Sequence, residues 1–217
     1  MMTARQMAIA LATLVGLASA DAWAGGAEME DKLKAAVAAG KLDGLHSVYV
    51  LRKGEPFAEV YFPGDDQSWG QPLGTVGHGP DTLHDLRSVT KSIVGLLYGI
   101  ALDEGLVPDV GARLIEQFPD YADLAADPER AKITVGDALS MQMGTDWDES
   151  LPYSDPRNSE IAMELADYRY RYVLDRPMVQ EPGTQWTYNG GATAIIAKLI
   201  AAGTGMSIDQ YAKNRLL

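Results

Sequence analysis

Ser88 and Lys91 stand three residues apart near the start of an apolar stretch that runs from residue 83 to residue 105. On a helix that spacing makes them neighbours on one side of a single turn. A serine hydroxyl is a poor nucleophile until a base takes its proton. A lysine serves as that base only where burial or nearby positive charge favours its neutral form. The first turn of a helix supplies positive dipole potential and free N–H groups, which favour neutral lysine and stabilise an oxyanion. The competing reading is a capping serine and a solvated lysine, which suits a bare S-x-x-K in most proteins. Ser92-Ile93-Val94 follow Lys91 directly on an otherwise apolar helix and argue against free solvation of its ammonium.

The element that must position this pair is legible in the same stretch. Val89, Ile93, Leu96, Leu97 and Ile100 recur at three- and four-residue steps and predict one buried helix face. Gly105 fits a left-handed C-cap, and Pro108 prevents the helix from resuming. Gly95 and Gly99 each cost about 1 kcal/mol of helix propensity against alanine, tolerable where another element packs close to that face. Upstream, residues 29–39 predict a helix closed by Gly40. Residues 46–51 and 56–62, joined by Arg52-Lys53-Gly54-Glu55, predict an antiparallel hairpin. Residues 63–80, rich in Gly, Pro and Asp, read as an irregular loop.

Downstream, Thr134 is a plausible N-cap for a short helix ended by Gly144, and residues 145–158 read as an ordered loop. Residues 159–174 read as one amphipathic helix with Ile161, Leu165 and Tyr168 at helical spacing. Its tyrosines Tyr168, Tyr170 and Tyr172 are read as core and rim packing. A second apolar helix follows over 192–202, and Ser207 opens a last one with an S-x-x-Q capping box.

Residues 1–24 have Arg5, an apolar run over 7–17, and the small-residue groups Ala18-Ser19-Ala20 and Ala22-Trp23-Ala24. This is the layout of a secretory signal peptide, so an exported protein, periplasmic or extracellular, is expected. The apolar run is too short for a membrane anchor, which needs about 20 residues. No later stretch predicts a membrane span. Residues 25–217 are read as one domain, without an internal repeat or a clear linker. A formal charge of −12 argues against nucleic acid or an anionic membrane as partner. The absence of cysteine excludes a disulfide scaffold, a thiol nucleophile and thiolate metal sites. His78 and His84, six apart without a carboxylate spacing typical of zinc, read as ordinary polar residues, and no metal is expected. The sequence sets no oligomeric state.

The chain resembles the serine β-lactamase and penicillin-binding-protein superfamily. The nearest branch is the class C-like one, which includes many esterases, D-amino-acid peptidases and amide hydrolases. Ser88-Val89-Thr90-Lys91 matches the S-x-x-K motif. Pro182-Gly183-Thr184 with Trp186-Thr187-Tyr188 matches the block that carries the catalytic tyrosine, and residues 133–141 resemble the segment between those motifs. The resemblance covers about residue 46 to the end. It implies a mixed α+β fold, an antiparallel sheet flanked by helices with a helical subdomain. It also implies roles: Ser88 as acyl-accepting nucleophile with its N–H in the oxyanion hole, Lys91 assisting deprotonation, and Tyr188 sharing the proton traffic. No cofactor or metal is implied, and the expected substrate is a small molecule or short peptide bearing an ester, amide or β-lactam.

Two features depart from that pattern. The family's tyrosine block is often Tyr-x-Asn, whereas Tyr188-Asn189-Gly190 puts the asparagine one place early, where it can turn the backbone into the glycines. A third motif, Lys-Thr-Gly or His-x-Gly on a downstream strand, has no counterpart after Tyr188. The expectation is therefore a fragment of a longer hydrolase or the product of an interrupted gene, without the C-terminal strands. The alternative is an inactive or peptidoglycan-binding relic of the fold. An α/β-hydrolase is disfavoured because no serine sits in G-x-S-x-G.

Overall fold

Apolar alternation in residues 47–61 builds the first paired element of the structure, a computed structural model that describes residues 25–68 and 71–217. The predicted signal peptide lies outside the described residues. The chain divides into two compact units, the first ending at Asp85 and the second running over Leu86–Leu217.

In the first unit, helix α1 covers residues 25–38, four residues earlier than its sequence pattern suggests. Gly40, at φ +64°, closes it, and Lys41 N–H returns to the Ala36 carbonyl at 2.9 Å. Strands β1 (Ser47–Arg52) and β2 (Glu55–Tyr61) pair antiparallel, with a register shift between Val50 and Leu51. Ala58, Val60 and Phe62 alternate onto one buried face. Residues 63–80 are not irregular: β3 (Gly64–Ser68) and β4 (Gln71–Val76) form a second antiparallel hairpin. Its strands lack the β-branched alternation that announces a strand. Backbone pairing and a cross-strand bond from Thr75 Oγ1 to Asp65 Oδ1 at 2.7 Å hold it instead. The fold is the expected mixed α+β one, but among the described residues its antiparallel pairing forms two separate two-stranded sheets. His46, His78 and His84, each unremarkable in the sequence, gather in this unit with ring centroids 4.0–5.3 Å apart.

The second unit is helical. Helix α2 (Val89–Asp103) starts six residues later than the apolar stretch and ends in a Schellman turn. Gly105 N–H bonds the Leu102 carbonyl and Leu106 N–H the Ala101 carbonyl. Its buried face shares Leu97 with the predicted one, with Ile93 and Ile100 partly buried against the core, and differs from it elsewhere. Val94, Leu97, Tyr98 and Ala101 are buried, while Val89 and Leu96 are 59% and 53% exposed. Gly95 and Gly99 lie on the open side, where nothing in their own unit comes within 4 Å of an added Cβ. Three short 3₁₀ segments follow (Ile115–Gln117, Pro119–Ala126, Arg130–Lys132). Helix α3 (Val135–Leu139) then carries the predicted Thr134 cap, completed as a capping box by Asp137.

The amphipathic stretch 159–174 is two helices, α4 (Ser159–Leu165) and α5 (Arg169–Leu174). Leu165 and Tyr168 are exposed at the break, whereas Met163, Val173 and Leu174 turn inward. Tyr170 and Tyr172 pack against the core, as read from the sequence, and Tyr168 does not. Helix α6 (Gly190–Thr204) packs on α2 and buries Ile195, Ile196, Leu199 and Ile200 in the common core. Helix α7 (Ile208–Arg215) follows Ser207, whose side chain makes no capping bond. No single helix among the described residues is long and apolar enough to cross a membrane.

Candidate active site

Ser88 occupies the N-cap position of α2 without capping it. The first N–H groups of the helix are satisfied by the preceding turn instead. Val89 N–H bonds the Leu86 carbonyl at 3.0 Å, Thr90 N–H that of Arg87 at 3.1 Å, and Lys91 N–H that of Ser88 at 3.0 Å. That arrangement leaves the Ser88 Oγ available for other partners. Arg87, directly before it, adopts φ +47°, a left-handed conformation that a non-glycine residue holds only at a cost.

The second group comes from a distant segment. Tyr188 lies in the connection before α6, and that connection is stitched to the loop after α3. Thr187 N–H bonds the Met141 carbonyl at 2.9 Å, Gly183 N–H that of Gln142 at 2.8 Å, and Val179 N–H that of Gly144 at 2.9 Å. Gly144, at φ +74°, lies so close to the Gln180 carbonyl that any Cβ would collide with it. Asn189 then caps α6, its Oδ1 accepting the Ala192 N–H at 2.9 Å from a fully enclosed position. The asparagine that seemed misplaced in the sequence is thus a helix cap. The glycines after it answer a second demand: a Cβ on Gly191 would meet Trp147 Cη2 at 2.6 Å, and one on Gly190 would meet the Glu160 carboxyl at 2.8 Å.

These constraints bring the three residues predicted from the sequence together. Lys91 Nζ donates to Ser88 Oγ at 3.1 Å, and the Tyr188 hydroxyl makes a short hydrogen bond with the same oxygen. Lys91 Nζ also sits 4.9 Å from the centroid of the Tyr188 ring, within cation–π range. A hydroxyl oxygen held between an amine and a phenol has two routes for its proton. Ser88 is exposed, while Lys91 and Tyr188 are half-buried.

Behind this group is a carboxyl pair that the sequence reading did not identify. Glu149 Oε1 accepts from Trp147 Nε1 and from Gly190 N–H, both at 2.6 Å, and Glu149 Oε2 accepts from the Tyr153 hydroxyl at 2.9 Å. Glu160 is pushed up to about 7, first by burial, then by its hydrogen bond to Glu149 and that group's charge; the Lys91 ammonium acts on it in the opposite direction. The Glu160 carboxyl therefore holds its proton to a higher pH than an ordinary glutamate does. Acidic residues are frequent in this chain, and eleven positions separate these two, so only the fold distinguishes them.

A family model described as Beta-lactamase matches residues 29–217. Among solved structures, a family VIII carboxylesterase aligns at 23% identity and a TM-score of 0.58, covering 86% of this chain and 47% of that one. FmtA from Staphylococcus aureus aligns at 17% identity and TM-score 0.56, covering 85% of this chain and 47% of that one. A mutant of simvastatin synthase (LovD) from Aspergillus terreus aligns at 21% identity and TM-score 0.56, covering 88% of this chain and 51% of that one. At such identities the likeness is one of fold, and the chain spans about half the length of these relatives. Comparison with curated proteins finds no match.

Proposed function

The chain belongs to the Beta-lactamase family, whose members are serine hydrolases, and from that premise we propose that Ser88 forms an acyl-enzyme with a small-molecule or short-peptide ester, amide or β-lactam. The observation that carries this reading is the Ser88 Oγ held between Lys91 Nζ at 3.1 Å and the Tyr188 hydroxyl, groups from segments 100 residues apart.

Ser88 Oγ attacks the acyl carbon as its proton passes to Tyr188 or Lys91, the two groups in hydrogen-bond reach of it. Lys91 Nζ lies 4.9 Å from the centroid of the phenol ring, so the two groups act on the serine proton as one unit. The oxyanion of the tetrahedral intermediate takes a hydrogen bond from the Ser88 N–H at the start of α2. The stored proton goes to the departing alcohol or amine as the acyl–leaving-group bond breaks. Water then repeats the sequence on the Ser88 ester, giving its proton to the same base and releasing the acid.

The test is a fluorophosphonate probe with intact-mass measurement and peptide mapping. One adduct on Ser88 is expected, lost in Ser88→Ala while the circular dichroism spectrum stays unchanged. A wild-type chain without an adduct, or a Ser88→Ala chain labelled at the wild-type level, overturns the reading.

A further inference from the structure

We propose that His46, Asp66, His78 and His84 form a binding site for one divalent transition-metal ion, zinc in the first instance. The chain has three histidines, and all three converge here. They come from separate segments: His46 directly precedes β1, Asp66 lies on β3, His78 follows β4, and His84 lies six residues further on. One ligand atom from each residue lies within 4.8 Å of those of the other three.

His78 makes the strongest argument. Its side chain is wholly buried, and its Nδ1 lies 2.8 Å from the Phe62 carbonyl. A carbonyl only accepts, so Nδ1 carries the hydrogen and the neutral ring keeps its lone pair on Nε2. That Nε2 is buried without a hydrogen-bond partner among the described residues and faces Asp66 Oδ2 at 3.5 Å. Two acceptors aimed at one another in a buried place call for a cation between them. His84 Nδ1 lies 3.9 Å from the same carboxylate oxygen, so the positions converge on Oδ2. The other oxygen, Oδ1, is engaged by the Gln67 N–H at 2.8 Å, which orients the carboxylate.

The surroundings hold these donors in place. Phe62 serves two of the histidines through its backbone: its N–H bonds the His46 carbonyl at 2.8 Å, and its carbonyl takes the His78 Nδ1–H. A histidine ligand whose second nitrogen donates to a backbone carbonyl has a fixed tautomer and ring orientation. Gly64 leaves the space that the His46 ring occupies, since a Cβ there would lie 2.8 Å from His46 Cδ2 and 2.9 Å from Nε2. Three imidazoles and one carboxylate complete the four-coordinate shell of a closed zinc site without a thiolate. Bonds of about 2.0–2.1 Å bring tetrahedral ligands to roughly 3.4 Å from one another, a contraction within reach of side-chain rotation. The same donor set also accepts nickel or copper. An ion held here ties His46, beside the first hairpin, to Asp66 and His78 of the second. Each hairpin is a two-stranded sheet, which is marginal alone.

The probe is zinc itself, added to the full chain after EDTA treatment and dialysis, with native mass spectrometry, calorimetric titration and thermal unfolding as readouts. One zinc per chain and a rise in the thermal midpoint are expected. His84→Gln and Asp66→Asn, which alter two partly exposed donors, are each expected to weaken binding at least about tenfold. The double variant is expected to retain no zinc while folding to a wild-type circular dichroism spectrum. No zinc on the wild-type chain overturns the proposal and leaves a proton as the shared cation. Undiminished binding in the double variant overturns it as well.

Discussion

The carboxyl pair behind Ser88 makes stability depend on pH in a way that one substitution isolates. Glu160 is held at about 7 against an ordinary 4.5, by burial first and by Glu149 next. Between those values the folded chain keeps a proton that the unfolded chain has released. Stability contributed by the pair is therefore fully present below about pH 4.5 and is lost as the pH rises through about 7. A rise from 4.5 to about 7 corresponds to at most about 3 kcal/mol at about 1.36 kcal/mol per pH unit. Glu160 is only half-buried, so solvent screening reduces this to roughly 1–2 kcal/mol.

Glu160→Gln keeps the shape of the protonated acid and a donor toward Glu149 at every pH. The variant is expected to match the wild type near pH 4 and to exceed it by about 1–2 kcal/mol near pH 8. The assay is urea unfolding at both pH values, followed by tryptophan fluorescence, since Trp147 touches Glu149. A Glu160→Gln difference that is the same at both pH values refutes the raised Glu160 carboxyl. So does a wild-type chain that gains stability from this pair as the pH rises.

Tyr188→Phe removes one of the two proton routes from Ser88 without touching the core; fluorophosphonate labelling of Ser88 is expected to slow by about 10²–10⁴-fold with unchanged unfolding, and labelling at the wild-type rate counts against a proton role for the phenol. Asn189→Ala deletes the α6 cap and is expected to cost about 1 kcal/mol in urea unfolding; a neutral result would mean that the cap bond is worth nothing here. Gly191→Ala places a Cβ 2.6 Å from Trp147 Cη2 and 2.7 Å from Val173 Cγ2, so overpacking of about 1–3 kcal/mol is expected, whereas Gly99→Ala on the open side of α2 is expected to stabilise by roughly 0.5–1 kcal/mol in the same assay.

What the sequence disclosed depended on whether a signal was local. The first hairpin is written in alternating apolar residues and a Gly-containing turn, and the Thr134 cap is written in three consecutive steps of chain, so both were legible. The second hairpin uses Gly, Asp and Gln in its strands, which carry no pattern of burial, and so passed for a loop. In α2 the apolar residues outnumber what one face can hold. Periodicity favoured Val89 and Leu96, but packing against α6 selected Val94, Tyr98 and Ala101. The helix break after Leu165 had no proline or glycine to announce it. Ser88 and Lys91 were readable because their three-residue spacing is itself the geometry. Tyr188 was readable only through its surrounding block, because no spacing rule spans 100 residues. Glu149, Glu160 and the three gathered histidines had neither kind of signal.

The residues that do the proposed chemistry are not the residues that hold it together. Ser88 is exposed and its neighbour Val89 is more than half exposed, so the nucleophile contributes little burial of its own. Its position relative to Tyr188 is set at one remove. Ser88 stands at the entrance of α2 and Tyr188 at the entrance of α6, and these two helices pack on each other through a core that includes Leu97, Tyr98, Ile195 and Ile196. Each of those side chains contributes roughly 1.5–3 kcal/mol of burial, far more than a solvent-facing hydrogen bond at Ser88 contributes. The helix pair therefore sets the separation of the two entrances, and the caps and stitched loops set their direction. Asn189 starts α6 immediately after Tyr188, and the turn at Arg87 frees the Ser88 hydroxyl from capping duty. In a family that places different acyl chemistry on one fold, this separation lets substrate-facing residues change while the serine, lysine and tyrosine stay in register.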